Sequence, residues 1–261
     1  MGYNYIRFVS WNLDFWKRTC ADKSVSFYKP PEIVNSWKES VKYNLAQLNA
    51  DFLLLQEINP FVIYNEKYQQ NDKHHYDLKI GRSNISYYEF AKQLEQENVD
   101  KSNFWGSAII ADEKYKYKSS DACFRDDNNF FMCYDFQLTH DKIVSVINFY
   151  NKAQNGKYSF NSDFVKSLDK LMENKKDNLI ILAGDFNSDG KYYLDKQTFE
   201  DIVKAGFINK TLQIGTTMVN YDYQNDHIFV NKNMNEHIKD IHKFSQWNIA
   251  DHFGLSCTIK I

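Results

Sequence analysis

The sequence contains no apolar stretch long enough to cross a membrane, which would take about 20 consecutive residues. We therefore expect no membrane span. The N-terminus lacks a basic segment followed by an apolar one, so no secretory leader is expected, and Ile6 stands where a myristoylation site needs serine or threonine. No linker, repeat or low-complexity tract divides the chain, and we expect one domain over residues 1–261.

Cysteine is also scarce, and no two cysteines have the C-x-x-C spacing of a metal or redox site. The four cysteines are Cys20, Cys123, Cys133 and Cys257. Each of them suits a small core residue, which favours a reducing compartment, and we expect a cytoplasmic protein. With 261 residues, of which 43% are hydrophobic, the chain can bury a large core.

Positive charge is not in excess, because the formal net charge is -2. A protein that binds nucleic acid mainly by neutralising phosphates usually has a basic face, so this chain would need a local basic patch. Lys114, Lys116 and Lys118 are candidates, as is the pair Lys175 and Lys176. Alternate lysines on a strand can instead form a solvated sheet edge that discourages aggregation.

Strand-like and helix-like segments alternate along the chain and predict two sheets packed face to face with helices outside. The predicted strands are 5–12, 52–56, 105–111, 130–139, 143–148, 179–183, 228–230, 238–244 and 255–259. The predicted helices are 35–48, 159–173 and 196–205, the last ended by Gly206. We therefore expect an α/β (α+β) fold, a four-layer αββα sandwich of two mixed β-sheets flanked by helices.

Five segments join a strand-like run to acidic, amide or imidazole side chains. The most informative is Gly184-Asp185-Phe186-Asn187, which closes the apolar run 178–183. Because side chains alternate along an extended chain, Asp185 and Asn187 can point to the same side. The other segments are Ser10-Trp11-Asn12-Leu13-Asp14, Leu55-Gln56-Glu57, Asn225-Asp226-His227-Ile228-Phe229-Val230 and Ala250-Asp251-His252-Phe253-Gly254.

These side chains suit metal-assisted hydrolysis of a phosphoester. Magnesium takes oxygen ligands from one or two carboxylates and leaves room for water and substrate phosphate. The candidate metal carboxylates are Asp14, Glu57 and Asp251. Glu57 could also be a plain strand end, and Asp14 could be a loop carboxylate.

The same chemistry needs an oriented nucleophile and donors for the charge that builds on the phosphoryl oxygens. Asp185 suits the first role, and Asn12, Asn187 and His252 suit the second. An imidazole that donates to phosphate is usually held by a carboxylate on its far nitrogen, and Asp226 is the candidate. The alternative is a plain strand-to-loop turn at Asp185 and a structural pair or helix cap at His252.

The five segments resemble, in type and order, the motifs of the endonuclease/exonuclease/phosphatase superfamily, which includes apurinic endonucleases, pancreatic-type deoxyribonucleases, sphingomyelinases and inositol polyphosphate phosphatases. The motifs are W-N, L-x-Q-E, G-D-F-N, D-x-I-F and S-D-H, with Ala250 in place of the usual serine, and they span about residues 5 to 260. The resemblance implies Mg²⁺ or Mn²⁺ as cofactor and a phosphoester, most often a nucleic acid, as substrate. It further implies that Asp185 positions or activates water, that Asn187 holds phosphate and that Asp226 orients His252. Asn12 would lie at the metal or phosphate. The residues implied at the metal are Glu57, Asp251 and Asp14.

The chain departs from this pattern in two places. Many members carry N-x-H on the central strand, whereas here Asn148-Phe149-Tyr150 ends in tyrosine. Tyr150 could donate to a leaving oxygen, although its ordinary pKa of about 10 makes it a weaker acid than histidine, or it could be a packing aromatic. The second departure is 81–105, where no arginine-rich signature is found.

Three functions remain open. The first is a metal-dependent phosphodiesterase of nucleic acid. The second is a phosphatase or phosphodiesterase of a small molecule or lipid head group, and the third is an inactive phosphate-binding module. We expect the variable stretches 16–34, 60–103 and 188–193 to line the site and decide the substrate.

Overall fold

The computed structural model describes residues 5–14, 18, 23, 28–58, 106–112, 114–125, 129–151, 162–189, 193–245 and 249–261. The strands are β1 Tyr5–Asn12, β2 Phe52–Ile58, β3 Gly106–Ala111, β4 Lys116–Arg125, β5 Asn129–Gln137, β6 Ile143–Asn151, β7 Leu179–Asp185, β8 Phe207–Asn209, β9 Asp226–Asn231, β10 Ile238–Phe244 and β11 Gly254–Lys260. The helices are α1 Pro31–Gln47, α2 Ser162–Asn174, α3 Tyr193–Lys204 and α4 Lys232–Asn235. None of these helices is long and apolar enough to cross a membrane.

The strands form two mixed sheets. One has the order β10-β11-β1-β2-β3 and the other has the order β4-β5-β6-β7-β9-β8. Each sheet contains one parallel pair at its centre, β1 with β2 and β6 with β7, and the other pairings are antiparallel. A parallel pair needs a crossover connection, and α1 and α2 lie in the two crossovers.

Three apolar clusters separate four layers and confirm the predicted sandwich. The cluster between the sheets includes Phe8, Phe52, Tyr134, Phe136 and Ile181. A second cluster joins α1 to the outer face of the five-stranded sheet, and it includes the predicted inward face Trp37, Val41, Leu45 and Leu48. A third joins α2 and α3 to the outer face of the six-stranded sheet through Phe164, Leu168 and Ile202.

Several boundaries differ from the sequence prediction for local reasons. Helix α1 begins at Pro31 rather than at residue 35, because proline is well suited to the first helical position. Gly206 ends α3 as expected, with a φ of 100° in the left-handed region. Strand β4 was not predicted as an element, since its polar sequence lacks an apolar alternation.

The lysine candidates for phosphate contact fall into two groups. Lys116 and Lys118 are exposed on β4, the edge strand of its sheet, which agrees with the solvated-edge alternative. Lys175 is buried and forms an ion pair with Asp135 on β5. The expectation that Lys175 could contact nucleic acid is therefore wrong.

Gly184 allows β7 to lie beside β6. A Cβ atom at this position would be 1.8 Å from the carbonyl oxygen of Phe149 on the neighbouring strand. Only glycine fits this close backbone approach, which carries the strand on to Asp185.

Candidate active site

The carboxyl ends of the two central parallel pairs bring polar side chains from both sheets together. Asn12 ends β1, Glu57 lies near the end of β2, and Asp185 ends β7. The Asn12 Nδ2 atom donates to Glu57 Oε1 at 3.1 Å and to Asp185 Oδ2 at 2.8 Å. Its Oδ1 atom accepts from the backbone N–H of Asp14 at 2.9 Å. Buried Asn12 thus connects the carboxylates of Glu57 and Asp185 and the backbone of Asp14.

Glu57 is held in a strained position beside Asn12. Its φ is 47°, and the pairing of β2 with β3 is irregular between Leu55 and Ile58. The hydroxyl of Tyr150, near the end of β6, donates to Glu57 Oε1 at 2.9 Å. A bulky residue in the left-handed region costs free energy and often occurs at functional sites. The tyrosine hydroxyl therefore faces a predicted metal carboxylate.

Asp185 and Asn187 meet, but not by strand alternation. Asn187 lies beyond the end of β7 with a φ of 49°. Its backbone N–H donates to Asp185 Oδ1 at 2.7 Å, and its Nδ2 atom donates to Asp185 Oδ2 at 2.9 Å. Nδ2 also donates to the carbonyl of Asn151 at 2.8 Å. A turn closed by the aspartate side chain therefore replaces the extended geometry that the sequence predicted.

His252 faces three aspartates. Its Nδ1 atom lies 2.8 Å from Asp226 Oδ2, and its Nε2 atom lies 4.0 Å from Asp185 Oδ2 and 3.9 Å from Asp251 Oδ1. Asp226 begins β9 and is paired in register with Asp185 at the end of β7. The predicted contact between Asp226 and His252 is thus present in the structure, and it is buried.

Burial and charge shift the pKa values of Asp185 and His252 in the same direction. Burial raises the pKa of Asp185, the charge of His252 lowers it, and the charges of Asp226 and Glu57 raise it, so that the pKa is about 8. Burial lowers the pKa of His252, but the charges of Asp226 and Asp185 outweigh burial and raise it to about 10. His252 is therefore a cation at neutral pH, while Asp185 titrates slightly above neutral pH.

A divalent cation could be held near these groups. Ligand atoms of Asp185, Asp226 and His252 lie within 4.8 Å of one another, and all three residues are buried. Asp226 Oδ1 is buried without a hydrogen-bond partner among the described residues. An imidazole that is protonated and bonded to Asp226 cannot ligate a metal, however, so the oxygen atoms of the cluster are the suitable donors.

The last two candidates, Asp14 and Asp251, border the same cluster. Asp14 is buried with a φ of 49°, and its Oδ2 atom lies 3.7 Å from Arg18 Nε. Asp251 is half-buried, and its carbonyl accepts from the backbone N–H of Val219 at 2.8 Å. All nine predicted site residues therefore lie at or beside one cluster. The stretch 60–103, which was expected to line the site, lies outside the described residues.

Sequence reasoning missed a buried amide pair beneath the site. Gln56 Nε2 donates to Asn148 Oδ1 at 2.6 Å, which joins β2 to β6. Asn148 Nδ2 donates to the carbonyls of Leu55 and Ala108 at 3.0 and 2.9 Å. These bonds tie the two sheets together directly below Glu57 and Tyr150. An amide inside an otherwise apolar strand was the available signal.

Thr217 was also missed, and the sequence gives no signal for it. Its Oγ1 atom accepts from the backbone N–H groups of Asn225 and Asp226 at 2.9 and 3.0 Å. Its carbonyl accepts from the N–H of Phe253 at 2.7 Å. Thr217 therefore fixes the start of β9 relative to the loop that carries His252.

No family model and no curated protein matches the chain by sequence. Its structure is similar to that of D. rerio TDP2 complexed with a single-stranded DNA product, at 13% identity and a TM-score of 0.63 over 97% of this chain and 98% of that one. It is also similar to the endonuclease domain of TRAS1, a telomere-specific non-LTR retrotransposon, at 12% identity and a TM-score of 0.61 over 98% of each chain. A third similar structure is an endonuclease/exonuclease/phosphatase family protein from Leptotrichia buccalis, at 16% identity and a TM-score of 0.57 over 98% of this chain and 100% of that one. The chain therefore has the endonuclease/exonuclease/phosphatase fold.

Proposed function

We propose that the chain is a Mg²⁺- or Mn²⁺-dependent phosphodiesterase that acts on nucleic acid. The observation that carries the proposal is the hydrogen-bonded cluster in which Asn12 joins Glu57 to Asp185 while Asp226 holds a charged His252. Because the cluster draws on both sheets, we also propose that residues 1–261 form one domain. A cytoplasmic location stays a prediction from the sequence.

The metal would be held by oxygen atoms of Glu57, Asp14 and Asp251, the carboxylates predicted from the sequence, rather than by the buried group of Asp185, Asp226 and His252, whose side chains take other roles. Hard oxygen donors fit Mg²⁺ or Mn²⁺ better than zinc, which prefers sulfur and imidazole ligands. The hydrogen bonds from Asn12 and Tyr150 both fall on Glu57 Oε1, so Glu57 would offer its other oxygen to the ion. A bound divalent ion supplies charge stabilisation for the phosphoryl oxygens.

Asp185 would accept the proton of the attacking water. A general base works best when its pKa lies near the working pH, and burial with neighbouring acids raises the pKa of Asp185 to about 8. The amides of Asn12 and Asn187 fix the carboxylate through hydrogen bonds of 2.7 to 2.9 Å. Little side-chain reorganisation is then needed when the water is deprotonated.

His252 would donate to a non-bridging phosphoryl oxygen. The ring is positively charged at neutral pH, and Asp226 fixes the orientation through Nδ1, so Nε2 is the donor that remains. A preorganised cationic donor stabilises the charge that develops in the transition state.

Nucleic acid is the preferred substrate because two of the similar structures are a TDP2 complexed with single-stranded DNA and a retrotransposon endonuclease domain. A small-molecule or lipid phosphoester is the second candidate, and the net charge of -2 favours it. An inactive phosphate-binding module is disfavoured because all nine predicted site residues lie at or beside one cluster.

Hydrolysis of bis-p-nitrophenyl phosphate tests the proposed chemistry. We expect EDTA to abolish hydrolysis and Mg²⁺ or Mn²⁺ to restore it, while zinc alone should not. Glu57→Gln should raise the metal concentration needed for half-maximal rate by about tenfold or more. The matched control is Glu236→Gln, since Glu236 is exposed at the end of α4. An unchanged metal titration in Glu57→Gln would place the metal elsewhere.

A panel of DNA, abasic duplex, RNA, inositol phosphate and sphingomyelin then identifies the substrate.

A further inference from the structure

Two exposed tyrosines lie in the loop that leads into the active site. Tyr221 is 61% exposed and Tyr223 is 48% exposed, and their ring centroids are 6.3 Å apart at an interplanar angle of 33°. Large aromatic side chains are normally buried, since each can remove a large apolar area from water. Two neighbouring tyrosines left in solvent on one loop therefore call for a binding partner.

The loop is compact and is attached to the site by hydrogen bonds. The carbonyl of Tyr223 accepts from the backbone N–H groups of Thr217 and Met218 at 2.8 and 3.2 Å, and the carbonyl of Tyr221 accepts from Thr216 Oγ1 at 2.7 Å. Met218 in turn forms an isolated antiparallel bridge with His252. The backbone of the loop is thus held beside the segment that carries the proposed phosphate donor.

A positive charge lies on the same side of the site. Lys243 Nζ donates to the carbonyl of Thr216 at 2.9 Å and lies 5.0 Å from the ring centroid of Phe253. Lys243 is exposed, so its remaining N–H groups face solvent. The loop therefore offers two aromatic faces with a cation at its base.

We propose that Tyr221 and Tyr223 form a stacking surface for unpaired bases of a single-stranded nucleic acid whose phosphodiester lies at His252. This inference rests on the proposed function and names its substrate class. With a net charge of -2, the chain has little overall attraction for phosphates, and base stacking supplies affinity that needs no basic face. Bases paired in a duplex have no free face for such a surface, so a single strand is the expected ligand.

A lipid surface is the other class of partner that takes exposed aromatic residues. The sequence between the rings disfavours it, because Asp222 lies between Tyr221 and Tyr223 and is exposed. Insertion of both rings into a bilayer would draw this carboxylate out of water, which is costly, whereas bases can stack on the rings while the carboxylate stays solvated. The single strand is therefore the occupant that the loop fits best.

The test compares Tyr221→Ala/Tyr223→Ala with wild type on a short oligothymidylate and on bis-p-nitrophenyl phosphate. The KM for the oligonucleotide should rise at least about tenfold more than the KM for the small diester, since stacking acts only on bases. Tyr221→Phe/Tyr223→Phe keeps both rings and should stay within about twofold of wild type. Tyr43→Ala is the matched control, because Tyr43 is 65% exposed on α1.

Oligonucleotide affinity measured by fluorescence anisotropy without metal separates this inference from the proposed function. If wild type hydrolyses neither substrate, the proposed function fails, and a loss of affinity in the alanine variant still supports the stacking surface. Equal affinity in wild type and the alanine variant would overturn it. The stacking surface would also be overturned if the alanine variant lost binding to phosphatidylcholine vesicles while it kept its affinity for the oligonucleotide. The partner of the two tyrosines would then be a lipid surface.

Discussion

Two buried aspartates of the six-stranded sheet, Asp135 and Asp185, have opposite surroundings. Asp135 forms an ion pair with Lys175 and accepts from Ser145 Oγ at 2.7 Å. Asp185 has amide donors around it, and the His252 imidazole lies 4.0 Å away and is itself bonded to Asp226.

The two environments differ in the balance between buried positive and negative charges. Among the residues that the structure describes, Lys175 is the cation paired with Asp135, whereas at Asp185 one imidazolium faces several carboxylates. Burying a charge without an opposite charge beside it costs free energy. An excess of buried carboxylates is therefore expected where another cation binds or where a reaction uses the carboxylates. We infer that the first pair serves folding and the second cluster serves function.

The largest effect should come from breaking the folding pair. Lys175→Met leaves Asp135 buried without its cation, and the free energy of unfolding should fall by about 3–5 kcal/mol. Urea denaturation measures this loss. Lys176→Met is the matched control, because Lys176 is exposed one residue away, and it should change stability by no more than about 0.5 kcal/mol. A loss as small as that of the control would remove the distinction between the two environments.

The next largest effect concerns the functional cluster. His252→Ala should lower kcat for a phosphodiester by at least about 100-fold, since it removes a charged donor to the phosphoryl oxygens. Asp226→Asn should also lower kcat, because the imidazole of His252 loses the carboxylate that stabilises its charge. Stability should change less than in Lys175→Met, which urea denaturation of the same proteins checks.

A double variant shows whether the two residues act as a unit. Asp226→Asn/His252→Ala should be little slower than His252→Ala alone, since Asp226 acts through the imidazole. Losses that simply multiply would mean that Asp226 and His252 contribute independently.

Much of the fold could be predicted because strand periodicity and apolar runs reflect burial directly. Strands β1 and β10 have the predicted bounds, and the inward face of α1 is the predicted one. Edge strand β4 escaped prediction because a strand with one solvated edge and a polar sequence lacks that periodicity. Strand β8 has only three residues, too few to show a pattern.

The candidate site was predictable in its residues but not in its contacts. The motifs of Asn12, Glu57 and Asp185 lie at the carboxyl ends of strands, and the ends of parallel strands meet at one edge, so these three residues could be expected together. The spacing of residues in the sequence does not indicate which of them adopt a left-handed backbone conformation. The turn at Asn187 was therefore not predicted. Thr217 acts through hydrogen bonds to backbone atoms distant in sequence, which no local pattern encodes.

The next prediction tests the role of Tyr150. Its hydroxyl donates to Glu57 Oε1, so Tyr150→Phe should loosen that carboxylate and raise the metal requirement by about tenfold. Metal titration of kcat measures this. Tyr115→Phe is the matched control, because its hydroxyl donates to the Asp51 carboxylate at 3.0 Å at another place in the fold. If the loss instead grows as the leaving group becomes more basic, Tyr150 acts at the leaving oxygen.

The smallest effect is a displacement of the pH–rate profile. Activity needs ionised Asp185 and protonated His252, so it should rise with pH up to about 8 and fall as pH passes about 10. A bound cation favours the Asp185 carboxylate, so the acidic limb should move to lower pH as Mg²⁺ is raised.

Asp226→Asn tests the origin of the alkaline limb. Burial lowers the pKa of His252 and the charge of Asp226 opposes it, so removing that charge should move the limb toward neutral pH. Residual kcat/KM for bis-p-nitrophenyl phosphate across the alkaline range measures the shift. Asp240→Asn is the matched control, because Asp240 bonds the exposed His242 at 2.6 Å, and this variant should leave the limb in place. An alkaline limb that stays near pH 10 in Asp226→Asn would show that another group, and not the imidazolium held by Asp226, limits the rate there.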